Sequence, residues 1–247
     1  MKVSILGYGN MGKAIAKALA KKSQVAVFDQ DKKTTVFAPK IKTSDFIIIA
    51  VKPKDIQNLA NEVSPHLNPN CILVSIAAGT TLKNLNKFFK HKKIVRVMPN
   101  LGLTVGQGIA AWKSAGLAAA EKAKAKKFLD LWTENFEVAT EDQIDKVTAI
   151  SGSGPAYFFL LAWCLEQAAR ALGFNEKQSR MLVEKTFAGA ALLQKHGDYE
   201  LLIKKVMSKK GTTEAAFKVF KKSHFNKIVK AAAQAAYKRA KQISHGK

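Results

Sequence analysis

Leu6-Gly7-Tyr8-Gly9-Asn10-Met11-Gly12 sets three glycines in GxGxxG spacing directly after a short apolar, β-branched run. The chemistry open to such a turn is diphosphate binding. Gly7 permits the tight turn, Gly9 lets the backbone approach phosphate without a Cβ in the way, and Gly12 lets the next helix pack closely on the strand. Amides at the start of that helix then face the negative charge, with Tyr8, Asn10 and Met11 in the same loop. Asp29 follows a second β-like run, twenty residues after Gly9, where a carboxylate accepts hydrogen bonds from ribose hydroxyls. Together these residues read as a nicotinamide dinucleotide site. Asp29 alone favours NADH, but Lys32 and Lys33 are close enough to offset its repulsion of a 2′-phosphate, so NADH and NADPH both stay open.

Ala50-Val51-Lys52-Pro53 and Ile76-Ala77-Ala78-Gly79 each end an apolar run. In an open α/β sheet such positions lie outside the carboxyl ends of the strands, where ligands bind. Ala50, Ala77 and Ala78 are small enough for a flat ring to approach the backbone, and Pro53 stiffens the turn after Val51. Lys52 reads either as a buried catalytic amine or as a solvated or phosphate-facing lysine. Far downstream, Gly211 before Thr212-Thr213-Glu214 reads as a flexible turn into a capped helix, itself an anion site; Thr213 as a plain N-cap gives the same pattern. The five histidines, His66, His91, His196, His224 and His245, are scattered and expected at the surface, with no metal-ligand spacing and no Ser, His and Asp constellation. Ser151 and Ser153 either line a pocket or form an interdomain turn.

The elements that must hold these residues change character along the chain. Strands are expected at Lys2 to Leu6, Gln24 to Phe28, Phe46 to Val51, Cys71 to Ile76 and Ile94 to Met98, alternating with helices up to about residue 140. The run Ile47-Ile48-Ile49 fits a strand buried on both faces. The fold class expected is thus an α/β N-terminal Rossmann domain with a mostly parallel, doubly wound sheet, followed by an all-α C-terminal domain. In the second part Pro155 to Leu172 reads as one apolar helix closed by Gly173, and Asn175 with Gln178 caps a helix running to about Lys195. Shorter helices follow at Tyr199 to Val206 and Glu214 to Lys222, then a long one from Phe225 to about Ile243. The first of these helices is apolar over most of its circumference, so it needs burial on several sides. Packing against a second subunit supplies that burial; the alternative is the centre of a monomeric bundle.

The 247 residues suffice for two domains, and Lys and Arg number 41 against 18 Asp and Glu, a net charge of +23. The excess is spread over both halves. Lacking an interleaved basic and aromatic stripe, it reads as a solvated surface that draws in anionic ligands, not as a nucleic-acid site. Cys71 and Cys164 sit in apolar stretches and are expected to be reduced core residues. The longest apolar run, Pro155 to Leu165, is shorter than the roughly 20 residues of a membrane span. A cytoplasmic protein is expected, with no membrane or nucleic-acid partner.

Five ordered segments, GYGNMG (Gly7 to Gly12), AVKP (Ala50 to Pro53), SIAAGTT (Ser75 to Thr81), VRVMPN (Val95 to Asn100) and ISGSGPAY (Ile150 to Tyr157), carry a resemblance to the pyrroline-5-carboxylate reductases along essentially the whole chain. The resemblance implies a dinucleotide-binding domain over 1–148 and a helical substrate and dimerisation domain over 149–247, interleaved with another subunit in a homodimer or higher oligomer. It implies NADPH- or NADH-dependent reduction of 1-pyrroline-5-carboxylate to proline. Ser208, Gly211, Thr212 and Thr213 then cradle the substrate carboxylate, and Thr213 hydrogen-bonds the ring nitrogen as the catalytic residue. Position and one donor suffice, with no metal or nucleophile. Three departures stand out. Ser208-Lys209-Lys210-Gly211-Thr212-Thr213 replaces the family's Ser-Pro-Gly-Gly-Thr-Thr, Leu101-Gly102 replaces Thr-Pro after Asn100, and Lys204-Lys205 replaces Lys-Asp. The alternatives are a related imine or β-hydroxyacid reductase of the same plan, a paralogue with weakened catalysis that still binds dinucleotide, or a non-catalytic nucleic-acid-associated protein. A hydroxyacid enzyme would need a lysine soon after the Gly-Ser-Gly turn, and Gly154 to Phe159 contains none.

Overall fold

Seven strands hydrogen-bond into one sheet: β1 Lys2–Leu6, β2 Gln24–Phe28, β3 Phe46–Ile49, β4 Ile72–Ser75, β5 Ile94–Pro99, β6 Ile109–Ala115 and β7 Glu134–Glu137, in the spatial order β2-β1-β3-β4-β5-β6-β7. Strands β1 to β5 run parallel, β6 is antiparallel to β5, and β7 is parallel to β6. This computed structural model describes residues 1–29 and 34–244; Lys32, Lys33 and His245 lie outside them. The expected β3 and β4 each extend past the observed ends, which leaves Ala50-Val51 and Ile76 in the turns that follow. Strands β6 and β7 are additions to the expected set. Strand β6 reads IAAWKSA and β7 reads ENFE, so neither has the β-branched run that marks the other five.

Alternation within the strands feeds two cores. Ile5, Phe46, Ile48, Val74 and Val95 face one side, against Ile15, Leu19, Phe128 and Trp132. Leu6, Ile47, Ile49 and Leu73 face the other, against Ile56, Ala60, Val63 and Leu85. Phe46 stacks on Phe128 at 3.9 Å between ring centroids. Each such side chain contributes about 1.5–3 kcal/mol by leaving water. Helices α1 Asn10–Leu19, α2 Thr34–Lys42, α3 Ile56–Val63, α4 Leu82–Phe89, α5 Ala119–Leu129 and α6 Glu141–Val147 join the strands or follow them. His91 corrects the expectation of a surface residue. It is 7% exposed, and its Nε2 lies 2.9 Å from the Cys71 carbonyl oxygen, because the turn after α4 folds back over the start of β4.

The chain divides into two compact units, Met1–Pro155 with Ala235–Lys247, and Ala156–Gln234. Five further α-helices follow among the described residues: α7 Gly154–Ala171, α8 Glu176–Leu193, α9 Tyr199–Val206, α10 Thr212–Lys222 and α11 Phe225–Ser244. Gly173 takes φ 97° after α7, the left-handed stop its sequence calls for. The Asn175 side chain accepts from Gln178 N at 2.9 Å, and Gln178 returns the bond to Asn175 N, the expected capping box of α8.

One expectation fails in this region. Cys164 is exposed, not buried, because the helix carrying it shows its apolar side chains to solvent: Phe158, Phe159, Leu160 and Trp163 are all more than half exposed. Ser151 lies in a π-helical turn and Ser153 in the bend that follows it. The π-helical turn, Thr148–Gly152, follows α6, with Ser151 Oγ donating to Val147 O, and after the bend at Ser153 the chain enters α7, so that Glu141–Ala171 is one nearly continuous helical run of 31 residues. That segment is long and apolar enough to cross a membrane by length and composition only, a test the core helices of soluble proteins also pass.

Candidate active site

Pairing of Leu6 with both Phe28 and Ile49, and of Ile49 with Ser75, aligns the carboxyl ends of β1 to β4 along one edge. The glycine turn, Asp29, Ala50–Pro53 and Ile76–Gly79 all leave the sheet there. Strand β1 lies between β2 and β3, so the connections diverge at its end, the place where open α/β sheets bind ligands. Gly7 has φ 105°, and a Cβ on it would come within 2.7 Å of the Ala50 carbonyl carbon. At Gly12 a Cβ would meet Gly7 O at 2.2 Å, which fixes how closely α1 approaches β1. Gly9 is the N-cap of α1, and a Cβ there would find nothing within 4 Å. The open space over Gly9 and the first-turn amides of α1, which have no partner within the helix, fit a diphosphate.

Around this turn the remaining residues take definite places. Tyr8 is exposed and lies under the Lys13 ammonium, 5.4 Å from the ring centroid. Asn10 and Met11 begin α1. Asp29 is exposed immediately after β2. Ala50 and Val51 are half-buried, and Pro53 opens a short turn of 3-10 helix to Asp55. Lys52 is exposed, which removes its reading as a buried amine. Ala77 is buried, Ala78 is exposed, and Gly79 takes φ 73° with Ile243 packed over it.

In the second unit, Gly211 N donates to Ser208 O at 3.0 Å, closing a turn with Lys209 and Lys210 at its centre. Lys210 has φ 60°, a left-handed conformation that glycine adopts freely and lysine only at a cost of about 1–2 kcal/mol. Proline then glycine is the favoured central pair for such a turn. The substitution of Lys209-Lys210 for that pair therefore keeps the turn and adds strain. The Glu214 carboxylate secures it by accepting from Lys210 N. A Cβ on Gly211 would meet Ser208 Oγ at 2.3 Å. Gly211 is the N-cap of α10, with Thr212 and Thr213 in its first turn, so Thr213 is not the cap. Ser208 and Thr212 are exposed, and Gly211 and Thr213 are half-buried.

A buried ionic cluster in the first unit escaped sequence reasoning. Arg96, 2% exposed on β5, donates to Glu141 Oε1 and to Asp145 Oδ1, each at 2.9 Å, and to Ser244 Oγ at 3.2 Å. Ser244 Oγ donates in turn to Asp145 at 2.8 Å. Beside it, hydrogen bonds from Lys146 and Tyr237 hold the Asp142 carboxyl down at about 2. An arginine inside an apolar strand, in VRVMPN, was the available signal; its partners lie 45 to 148 residues away.

A doubly wound sheet with a glycine turn at its carboxyl edge, continued by a helical unit, defines a nicotinamide-dependent oxidoreductase of the two-domain kind. The pyrroline-5-carboxylate reductase of Pseudomonas aeruginosa is 34% identical over 216 residues, covering 84% of this chain and 77% of the relative, and that of Aquifex aeolicus is 33% identical, covering 98% and 97%. This chain belongs to the pyrroline-5-carboxylate reductase family. The family description "pyrroline-5-carboxylate reductase dimerisation" matches residues 141–243, and "NADP oxidoreductase coenzyme F420-dependent" matches residues 2–79. Among solved structures, a pyrroline-5-carboxylate reductase from Coxiella burnetii superposes with a TM-score of 0.86 at 28% identity, covering 98% of each chain. The Plasmodium falciparum enzyme with NADP bound gives 0.83 at 28% identity, covering 99% of this chain and 98% of that one.

Proposed function

We propose that the chain reduces 1-pyrroline-5-carboxylate to proline with NADPH or NADH, and that the residues at the sheet edge and in the Ser208–Thr213 loop do this work. The observation that carries the reading is similarity to reductases of this substrate over nearly the full chain, joined to an unobstructed Gly9 at a helix start. Gly7, Tyr8, Gly9, Asn10 and Met11 would hold the diphosphate, Asp29 the adenosine ribose, and Ala50–Pro53 with Ala77 and Ala78 the nicotinamide end. When bound, the dinucleotide supplies the hydride. The amides of the turn and of the first turn of α10 bind the substrate carboxylate with Ser208, Gly211 and Thr212. Thr213 Oγ1 donates a hydrogen bond to the ring nitrogen and steadies the charge as the imine, protonated from solvent, takes the hydride at carbon and becomes an amine.

The functional division falls after residue 148, and the helical part assembles with further copies of the chain, as a dimer or a higher oligomer. Its apolar face is read as subunit surface, which accounts for the long helix without a membrane partner. No nucleic-acid partner is invoked for the +23 charge, and the location proposed is the cytoplasm, which cell fractionation would test. Thr213→Ala tests the assigned chemistry: kcat should fall about 100-fold while the dissociation constant for reduced cofactor stays within about twofold. Equal losses in both would remove Thr213 from the role.

A further inference from the structure

Loop Ile76–Thr81 joins β4 to α4 and carries Ala77 and Ala78. It is held from outside at two points. Glu141 Oε1 accepts from the amide of Leu82, the first residue of α4, at 2.9 Å; the helix itself has no partner for that amide. The same oxygen accepts from Arg96 Nη1. At the middle of the loop, Ile243 packs on Gly79 so closely that a Cβ there would lie 2.2 Å from Ile243 Cγ2. Ser244, the next residue, is tied to Arg96 and Asp145. Arg96 thus fixes both the exit of the loop, through Glu141, and its lid at the end of α11, through Ser244.

Stability alone does not call for this arrangement. Burying a guanidinium and a carboxylate carries a desolvation penalty of several kcal/mol per ion, and apolar residues of similar volume are often as stable. What the ionic set adds is direction, since each bond has one favourable geometry. We infer that Arg96, Glu141, Asp145 and Ser244 are positioning residues that hold loop Ile76–Thr81 in register for the cofactor. The inference rests on the proposed reading that Ala77 and Ala78 line the nicotinamide end.

The test is steady-state kinetics of the full-length protein with 1-pyrroline-5-carboxylate and reduced cofactor. Glu141→Ala removes the acceptor of Leu82 N, whereas Glu141→Gln keeps an oxygen there. Glu141→Ala should raise the KM for cofactor about tenfold and leave that for the imine within about twofold, and Glu141→Gln should recover to within about threefold of the parent. Ile243→Ala, which uncovers Gly79 without touching a charge, should raise the cofactor KM about threefold. A folded Glu141→Ala with unchanged cofactor KM, or a Glu141→Gln as impaired as Glu141→Ala, overturns the inference. Should Glu141→Ala not fold, an unchanged cofactor KM in Ile243→Ala overturns it. Ala78→Asp separates the two readings. It places a carboxylate in the loop itself and should raise the cofactor KM about 100-fold. If it does, and Glu141→Ala has no effect, only the positioning role falls; if Ala78→Asp binds cofactor normally, the site reading falls with it.

Discussion

All the buried hydrophobic residues among those described lie in the first compact unit, and from Ala156 to Gln234 there is none. The second unit is not poorer in apolar residues. Helix α7 alone presents Phe158, Phe159, Leu160, Leu161, Trp163 and Leu165, each more than 40% exposed. The difference is one of closure. A parallel sheet with helices on both faces buries its strands within one chain, whereas these helices leave a wide apolar surface that a single copy does not cover. Residues 141–243 match a dimerisation family, which supports assembly with further copies of the chain.

The sharpest way to break this contrast is to charge the exposed face. Leu160→Glu would bury an unpaired carboxylate between subunits, at a cost of several kcal/mol, so the assembly should weaken at least about 1,000-fold and sediment as monomer. Val105→Glu, at a residue 75% exposed in the first unit, should leave the assembly intact, and its dissociation would erase the distinction between the units. Two alanines in the glycine turn sharpen the comparison from the other side. Gly12→Ala forces a clash with backbone and should lower unfolding free energy by about 1–3 kcal/mol. Gly9→Ala meets no protein atom, so its thermal midpoint should hold while cofactor affinity falls about tenfold or more; calorimetry and fluorescence titration separate the two effects.

Smaller effects probe local strain. Lys210→Gly relieves a left-handed lysine and should stabilise the protein by about 1 kcal/mol, seen as a raised denaturation midpoint. Burial pushes the pKa of His91 below its usual 6.5. The unfolded chain therefore takes up the proton first, so this contribution to stability is full above about pH 6.5 and is lost as pH falls below it. Thermal midpoints between about pH 5 and 8 should drop on acidification, and drop less in His91→Asn. The Cys71 thiol, pushed up to about 11 by burial, stays neutral throughout that range.

The two units were also legible to different degrees. Strands β1, β3, β4 and β5 are β-branched runs almost wholly buried, and the edge strand β2 is a half-buried run of the same kind; their composition alone marks them. Strands β6 and β7 are held in place by pairing and by Trp112 in the core, signals that composition does not carry. The helices from Pro155 onward are punctuated by Gly173 and Asn175, so their limits could be read closely, yet the exposure of Cys164 could not, because it depends on what lies outside the chain. In the site, glycine spacing identified the turn, and the space at Gly9 agrees with the role assigned to it. Of the Arg96 cluster only the arginine stood out in the sequence, because its partners, Glu141 and Asp145 on α6 and Ser244 on α11, are brought to it only by the fold. The left-handed Lys210 runs against residue preference, so the sequence departure at Lys209-Lys210 gave no sign that the turn at Ser208–Gly211 is formed.

The most direct test is to supply the purified protein with 1-pyrroline-5-carboxylate and reduced cofactor, NADPH and NADH in turn, and to follow cofactor absorbance and proline together. Cofactor oxidation should match proline formation one for one with at least one of the two dinucleotides. Oxidation without proline, or no turnover with either dinucleotide, would contradict the assignment.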